Sequence, residues 1–88
     1  MQNAEKPVVS PKQRKPVDVS TYEGRFAVRL RTLREKAGLT VDTLAEITGI
    51  PRQTLYDWES TKTSPPVKIL PVLAEFLGVT VRNLLPKE

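Results

Sequence analysis

The chain has 88 residues, enough for one small domain, and its 14 Lys and Arg exceed its 10 Asp and Glu to give a net charge of +4. It contains neither Cys nor His, which excludes disulfide bridges, thiolate metal sites and histidine-based acid–base catalysis. No apolar run approaches the ~20 residues that cross a bilayer, and no apolar secretory signal opens the chain. We therefore expect a cytoplasmic protein that is not an enzyme, binds no metal or cofactor, and suits an anionic partner.

The N-terminal quarter differs in composition from the rest of the chain. Residues 1–21 hold three Pro and four Lys or Arg but no Leu or aromatic residue. Such a segment cannot bury enough apolar area to offset the entropy lost on ordering. The sequence therefore predicts a disordered, basic tail over residues 1–22 and a folded domain over residues 23–88.

Helical periodicity begins after this tail. The first predicted helix covers about residues 25–36, where apolar residues recur at helical spacing. Those residues are Phe26, Leu30 and Leu33. Gly38 is a suitable C-terminal stop for this helix.

Thr40 is a good N-cap for a second helix over residues 41–48, which Gly49 ends. Its inward-facing residues are predicted to be Leu44, Ala45 and Ile47.

The second and third predicted helices form the most informative part of the sequence. The third helix begins at Pro51, because proline is favoured at a first helical position, and runs to about residue 59. Leu55 and Trp58 form its buried edge. The small Ala45 lies where the two helices cross, and Gly49 supplies a positive φ in the turn between them. This arrangement leaves a polar outer face on the third helix, made of Arg52, Gln53, Tyr56 and Asp57.

Two shorter helices complete the predicted domain. Residues 60–66 are polar and rich in proline, which is typical of a loop. The fourth helix covers about residues 68–77, with Pro71 in its first turn, since a proline deeper inside would cost about 3 kcal/mol. Thr80 then caps a last helix over residues 81–85.

Several separate blocks of this domain resemble the lambda-repressor/Cro (Xre-type) helix-turn-helix family in order and spacing. The blocks are Leu33-Arg34-Glu35, Gly38-Leu39-Thr40, Leu44-Ala45, Gly49-Ile50, Trp58-Glu59, Leu73-Ala74, Leu77-Gly78-Val79 and Leu84-Leu85. The resemblance implies an all-α, compact five-helix lambda-repressor-like domain. It also implies binding to double-stranded DNA at a two-fold operator, usually as a repressor.

The resemblance further implies roles for individual residues. The family reads bases from the third helix, at positions occupied here by Arg52, Gln53, Thr54 and Asp57. An Arg side chain can form two hydrogen bonds with guanine, and a Gln side chain can form two with adenine. Each such contact discriminates against the wrong base by roughly 1–3 kcal/mol. The family's phosphate contacts come from the start of the second helix and from the loop after the third, at positions occupied here by Thr40, Val41, Ser60, Lys62 and Thr63. Tyr56, on the outer face of the third helix, is amphipathic and is interpreted either as a further phosphate contact or as a packing residue. An Arg of the first helix pairs in the family with a Glu that ends the third, which here predicts an ion pair of Arg34 and Glu59.

Some features leave alternatives open. The family usually has Gln where this chain has Val41, and Asp57 on the reading face would repel phosphates. A protein-interaction module built on the same fold, with another protein as partner, is therefore the alternative to a DNA-binding regulator. We expect a weak or DNA-assisted homodimer. Three cations of the tail form either part of a solubilising leader or an arm that tracks DNA beside the domain; they are Lys12, Arg14 and Lys15.

Overall fold

The computed structural model describes residues 17–86, which form five α-helices and one 3₁₀ turn and contain no strand. The elements are α1 (Tyr22–Lys36), α2 (Val41–Thr48), α3 (Arg52–Glu59), the 3₁₀ turn (Val67–Ile69), α4 (Leu70–Leu77) and α5 (Val81–Leu84). The predicted all-α, five-helix architecture is confirmed. Within these residues, no helix has the length and apolar character needed to cross a membrane.

The first helix begins at Tyr22, three residues before the predicted start. The hydroxyl of Thr21 caps it by accepting a hydrogen bond from the Gly24 N–H at 3.0 Å. A turn precedes this cap, because the Asp18 carboxylate accepts from the side chain and the backbone N–H of Ser20 at 2.6 and 3.0 Å. The same two bonds hold the pKa of Asp18 below its ordinary value. Residues 18–22, which the sequence assigns to the tail, therefore form the cap and the beginning of α1.

Close packing of this turn on α1 makes Gly24→Ala an informative change. A Cβ at position 24 would lie 1.8 Å from the backbone oxygen of Asp18. Alanine normally stabilises a helix interior by about 0.5–1 kcal/mol relative to glycine. Here we expect the opposite sign, a loss of about 1 kcal/mol in the free energy of unfolding, because the turn and the Thr21 cap must be displaced.

Thermal unfolding of matched pairs of variants measures this effect. The control is the same substitution in a chain that lacks residues 1–18, where the clashing oxygen is absent. There alanine should raise the midpoint of unfolding. A stabilising effect of alanine in the full chain as well would contradict the packing that the structure shows.

The helices enclose one apolar core. Helix α1 packs on α3 and α5, while α2 packs on α3 and α4. The buried apolar residues of this core include Phe26, Ala27, Leu30, Leu33, Val41, Leu44, Leu55, Trp58, Leu73, Ala74, Leu77 and Leu84. Leu55 and Trp58 thus lie on the buried side of α3, as predicted. The opposite side of α3 faces outward.

Some boundaries and faces differ from the sequence prediction. Ile47 was expected to face inward, but its side chain is 43% exposed. Val41 and Leu44 supply the buried stripe of α2, and Ile50 after the turn packs against the same core, so Ile47 is not needed there.

The start of α3 also differs from the prediction. Pro51 is the residue before α3, with φ −58° and ψ 142°, and is not its first helical residue.

The C-terminal helices follow the prediction with small changes. Pro71 lies in the first turn of α4, as expected. A 3₁₀ turn, Val67–Ile69, precedes this helix, so the predicted start near residue 68 falls inside a tighter turn. Helix α5 ends at Leu84, one residue early, because Leu85 is extended.

Candidate nucleic-acid interface

The turn between α2 and α3 is closed by a left-handed glycine and a threonine side chain. Gly49 has φ +78°, and its N–H donates to the carbonyl of Ala45 at 2.9 Å. The Thr48 hydroxyl donates to the Leu44 carbonyl at 2.6 Å and accepts from the Ile50 N–H at 3.2 Å. These bonds satisfy backbone groups at the corner and fix the direction in which α3 leaves it.

A buried ion pair anchors the far end of α3. The Arg34 guanidinium donates to both carboxylate oxygens of Glu59, at 2.7 and 3.1 Å. A third bond, to the Leu39 carbonyl at 2.8 Å, ties this pair to the segment before α2. Glu59 is 1% exposed. The structure therefore brings together the two residues that the resemblance names as a pair, at the junction of α1, α3 and the connecting segment.

The electrostatic environment of this pair favours the charged guanidinium. Burial lowers the pKa of Arg34, but the hydrogen bond and the negative charge of Glu59, together with smaller contributions from Glu35 and Tyr56, outweigh this effect. The pKa of Arg34 therefore lies above its ordinary value. This buried, hydrogen-bonded ion pair between Arg34 and Glu59 holds α3 in one position relative to α1.

The outer face of α3 presents the residues expected to read bases. Arg52 and Gln53 are exposed, and Thr54 and Asp57 are partly buried. The Gln53 side-chain amide donates to the Asp57 carboxylate at 3.0 Å. Tyr56, on the same helix, is partly buried and packs against the core, which is the packing alternative to a phosphate contact.

Asp42 belongs to this surface, although the sequence did not suggest a role for it. Its carboxylate accepts a hydrogen bond from the Arg52 guanidinium at 3.0 Å. The two side chains are 69% and 62% exposed, so the pair contributes at most about 1 kcal/mol to stability. They are ten positions apart and lie on different helices, so no periodicity links them in the sequence.

The loop after α3 folds back on the end of that helix. The backbone carbonyl of Asp57 accepts hydrogen bonds from the N–H groups of Ser60, Lys62 and Thr63 at 3.3, 3.0 and 3.4 Å. Lys62 and Thr63 are exposed, and Ser60 is partly buried. The expected phosphate-contacting residues of the loop therefore lie close to the C-terminal end of α3.

Thr61 holds this loop in a conformation that a β-branched residue rarely adopts. Its φ is +66°, in the left-handed region, which costs an L residue roughly 1–2 kcal/mol. We expect Thr61→Gly to raise the free energy of unfolding by about 0.5–1 kcal/mol, since glycine avoids this strain but loses more chain entropy. Thermal unfolding measures the gain. Thr63→Gly, at a position without positive φ, is the control, and an equal gain there would contradict strain at Thr61.

The start of α2 is the second place where phosphate contacts are expected. Thr40 is exposed, and its hydroxyl caps α2 by accepting from the Thr43 N–H at 3.0 Å. The side chain of Val41 is only 5% exposed and belongs to the core. Val41 therefore offers a ligand only its backbone N–H, which has no partner within the helix.

Other predicted features fall outside this surface. Lys12, Arg14 and Lys15 lie outside the described residues. Between residues 17 and 86, no group of three or more His, Cys, Asp or Glu side chains is placed to hold a metal ion.

Comparisons with known proteins agree with the all-helical fold and assign the chain to a family. The model of a helix-turn-helix family matches residues 30–84. A protein of Methanocaldococcus jannaschii that carries the name of an HTH-type transcriptional regulatory protein, MJ1164, is 36% identical over 73% of this chain. The match spans 22% of the length of that relative. The crystal structure of the DNA-binding domain of BldD superposes with a TM-score of 0.68 and 28% identity, over 74% of this chain and 94% of that domain. The chain belongs to the lambda-repressor-like (Xre-type) helix-turn-helix family.

Proposed function

We propose that this chain is a sequence-specific DNA-binding transcriptional regulator, acting as a repressor, that inserts α3 into the major groove of a pseudo-palindromic operator. The observation that carries the proposal is the outer face of α3. That face presents the exposed donors of Arg52 and Gln53, while Leu55 and Trp58 hold the opposite side in the core. The similarity to the DNA-binding domain of BldD and to a named transcriptional regulator supports it.

The chemistry of this face suits direct reading of bases. A guanidinium can donate two hydrogen bonds to O6 and N7 of guanine, and a side-chain amide can pair with N6 and N7 of adenine. The surface ion pair with Asp42 does not prevent this, because so exposed a pair is weak enough to exchange for a base edge. Backbone N–H groups at the start of α2 suit a phosphate oxygen, and Lys62 supplies an exposed cation in the loop after α3.

A two-fold operator would be bound by two copies with half-sites about one helical turn apart. We propose that the copies associate weakly and mainly on DNA. The protein would then act in the cytoplasm at the nucleoid, where its operator lies.

Selection from random double-stranded oligonucleotides tests this function. We expect purified protein at about 150 mM salt to enrich a pseudo-palindromic sequence, because base contacts survive salt that weakens phosphate contacts. Enrichment of no sequence above the input pool would contradict the proposal.

A protein-interaction module is the second candidate, and two observations favour it. The side chain at the usual phosphate-contacting position, Val41, is buried, and the carboxylate of Asp42 forms an exposed ion pair with Arg52 at the start of α3. The discriminating measurement is fluorescence anisotropy with labelled duplex pools, followed by Arg52→Ala with Gln53→Ala. A chain that binds no duplex, yet retains a protein partner in this double variant, would be an interaction module.

The basic N-terminal segment gives a separate prediction. If the cations at positions 12, 14 and 15 track DNA, removal of residues 1–16 should reduce the magnitude of the negative slope of log affinity against log salt by about 0.9 for each phosphate that these cations neutralise. The measurement is the salt dependence of duplex binding by the full and shortened chains. An unchanged slope would leave these residues as a solubilising leader.

A further inference from the structure

Gln53 and Asp57 form a hydrogen-bonded pair on the face of α3 that is proposed to enter the groove. They are four positions apart, so they lie one above the other on the helix. The Gln53 Nε2 donates to the Asp57 Oδ1 at 3.0 Å. Gln53 is exposed and Asp57 is partly buried.

The chemistry of the two groups permits only one orientation of the amide. An ionised carboxylate has no hydrogen to donate, whereas an amide has an accepting end and a donating end. The Gln53 amide can therefore meet Asp57 only through its N–H₂ group. Its oxygen must point away from the carboxylate, and one N–H remains available.

The carboxylate of Asp57 is separate from the structural role of the same residue. The loop after α3 is held by the backbone carbonyl of Asp57, which accepts from three N–H groups. Replacing the side chain leaves that carbonyl in place. A change in base preference after such a replacement would therefore reflect the bond to Gln53 and not disruption of the loop.

We propose that Asp57 is a positioning residue that sets the amide of Gln53 to read adenine in preference to guanine. The inference rests on the proposed DNA-binding function and gives Asp57 an indirect part in base reading. Adenine offers one donor and one acceptor in the major groove, at N6 and N7, which match the free oxygen and the remaining N–H of Gln53. Guanine offers two acceptors, O6 and N7, and needs both N–H groups, one of which Asp57 occupies.

The experiment is a selection from random duplexes with the wild-type chain and a set of single variants. Gln53→Ala identifies the base position that Gln53 contacts, as the one whose preference it abolishes. At that position the wild type should prefer adenine to guanine by about tenfold or more, as expected for a two-bond contact. Asp57→Ala should lower this ratio severalfold, because the amide of Gln53 is then free to present its N–H groups to guanine as well. Asp57→Glu keeps an accepting carboxylate on the same helix face and should restore most of the preference.

Two further variants keep the test decisive. Asp57→Asn is isosteric but can donate as well as accept, so it should weaken the preference in part, and it carries the test if the alanine variant melts below the assay temperature. Glu46→Gln removes an exposed negative charge from α2 and should leave the ratio unchanged. An equal fall in Glu46→Gln would assign the effect to net charge and overturn the inference.

The possible failures can be told apart. If the wild type enriches no sequence, the proposed function fails and this inference fails with it. If the wild type enriches a site but Asp57→Ala keeps the same ratio of adenine to guanine, the positioning role is overturned and the proposed function stands. A preference for a pyrimidine on the contacted strand would overturn the positioning role in the same way.

Discussion

Replacing Arg34 by methionine is expected to lower the free energy of unfolding by about 3–5 kcal/mol, because the carboxylate of Glu59 would stay buried without its cation. Glu59 is 1% exposed and has both oxygens bonded to Arg34. A domain of this size is stabilised by only about 3–5 kcal/mol. We therefore expect Arg34→Met to be largely unfolded at 25 °C, as measured by circular dichroism and urea titration.

A double variant separates the effect of the broken pair from the effect of changed packing. The double variant Arg34→Met with Glu59→Leu leaves no charge buried at this site. Replacing a buried pair by apolar residues of similar size is often neutral or stabilising. We expect this double variant to fold again, with a free energy of unfolding above that of either single variant. A single variant as stable as the wild type, or a double variant no better than the worse single one, would contradict the structural importance of the pair.

Replacing Arg52 or Gln53 by alanine should weaken binding to the preferred DNA site by about 1–3 kcal/mol each, or roughly 5–150-fold. Neither side chain is buried, so both variants should keep the melting temperature of the wild type within a few degrees. The quantity to measure is the ratio of the dissociation constants for the selected duplex and for an unrelated duplex of equal length.

Lys68→Ala is the matched control for removal of a positive charge. Lys68 is exposed in the 3₁₀ turn Val67–Ile69, away from α2 and α3 in the sequence. Its removal should change affinity for both duplexes by the same small factor and leave the ratio unaltered. A ratio that is unaffected by Arg52→Ala and by Gln53→Ala would show that this face does not read bases.

Local sequence signals were sufficient to predict most of the helices. The bounds of α2 follow from a capping threonine before the apolar pattern and a glycine after it, and the structure has the same bounds. The end of α1 at Lys36 and the buried face of α3 were predicted for similar reasons. Such signals succeed because capping, glycine φ and periodicity act within one or two turns of a helix.

Features that depend on contacts between elements could not be predicted in the same way. The start of α1 was placed late, because its Thr21 cap follows a segment whose proline and lysine content is typical of a tail. Ile47 was expected in the core, but whether a helix residue is covered depends on what packs over it, and Ile50 contributes to that packing. The ion pair of Asp42 and Arg52 joins two different helices, so the spacing of residues along the sequence does not indicate it.

Part of the candidate interface was available from the resemblance and part only from the coordinates. The resemblance named Arg52 and Gln53, and the structure places both on the exposed side of α3. The resemblance also named Val41 as a phosphate-contacting residue, but the structure places its side chain in the core. The hydrogen bonds that Arg52 and Gln53 make to neighbouring carboxylates depend on rotamers and emerged only from the three-dimensional arrangement.

Titration of ¹⁵N-labelled protein with its selected duplex, followed by amide chemical shifts, tests the proposed docking of α3 most directly. We predict that the largest changes fall in residues 40–43, 52–57 and 60–63, at the start of α2, on α3 and in the loop after it. Amides of residues 70–77 in α4 should move little. Changes concentrated in α1 or α4, with those of residues 52–57 unaffected, would contradict the insertion of α3 into DNA.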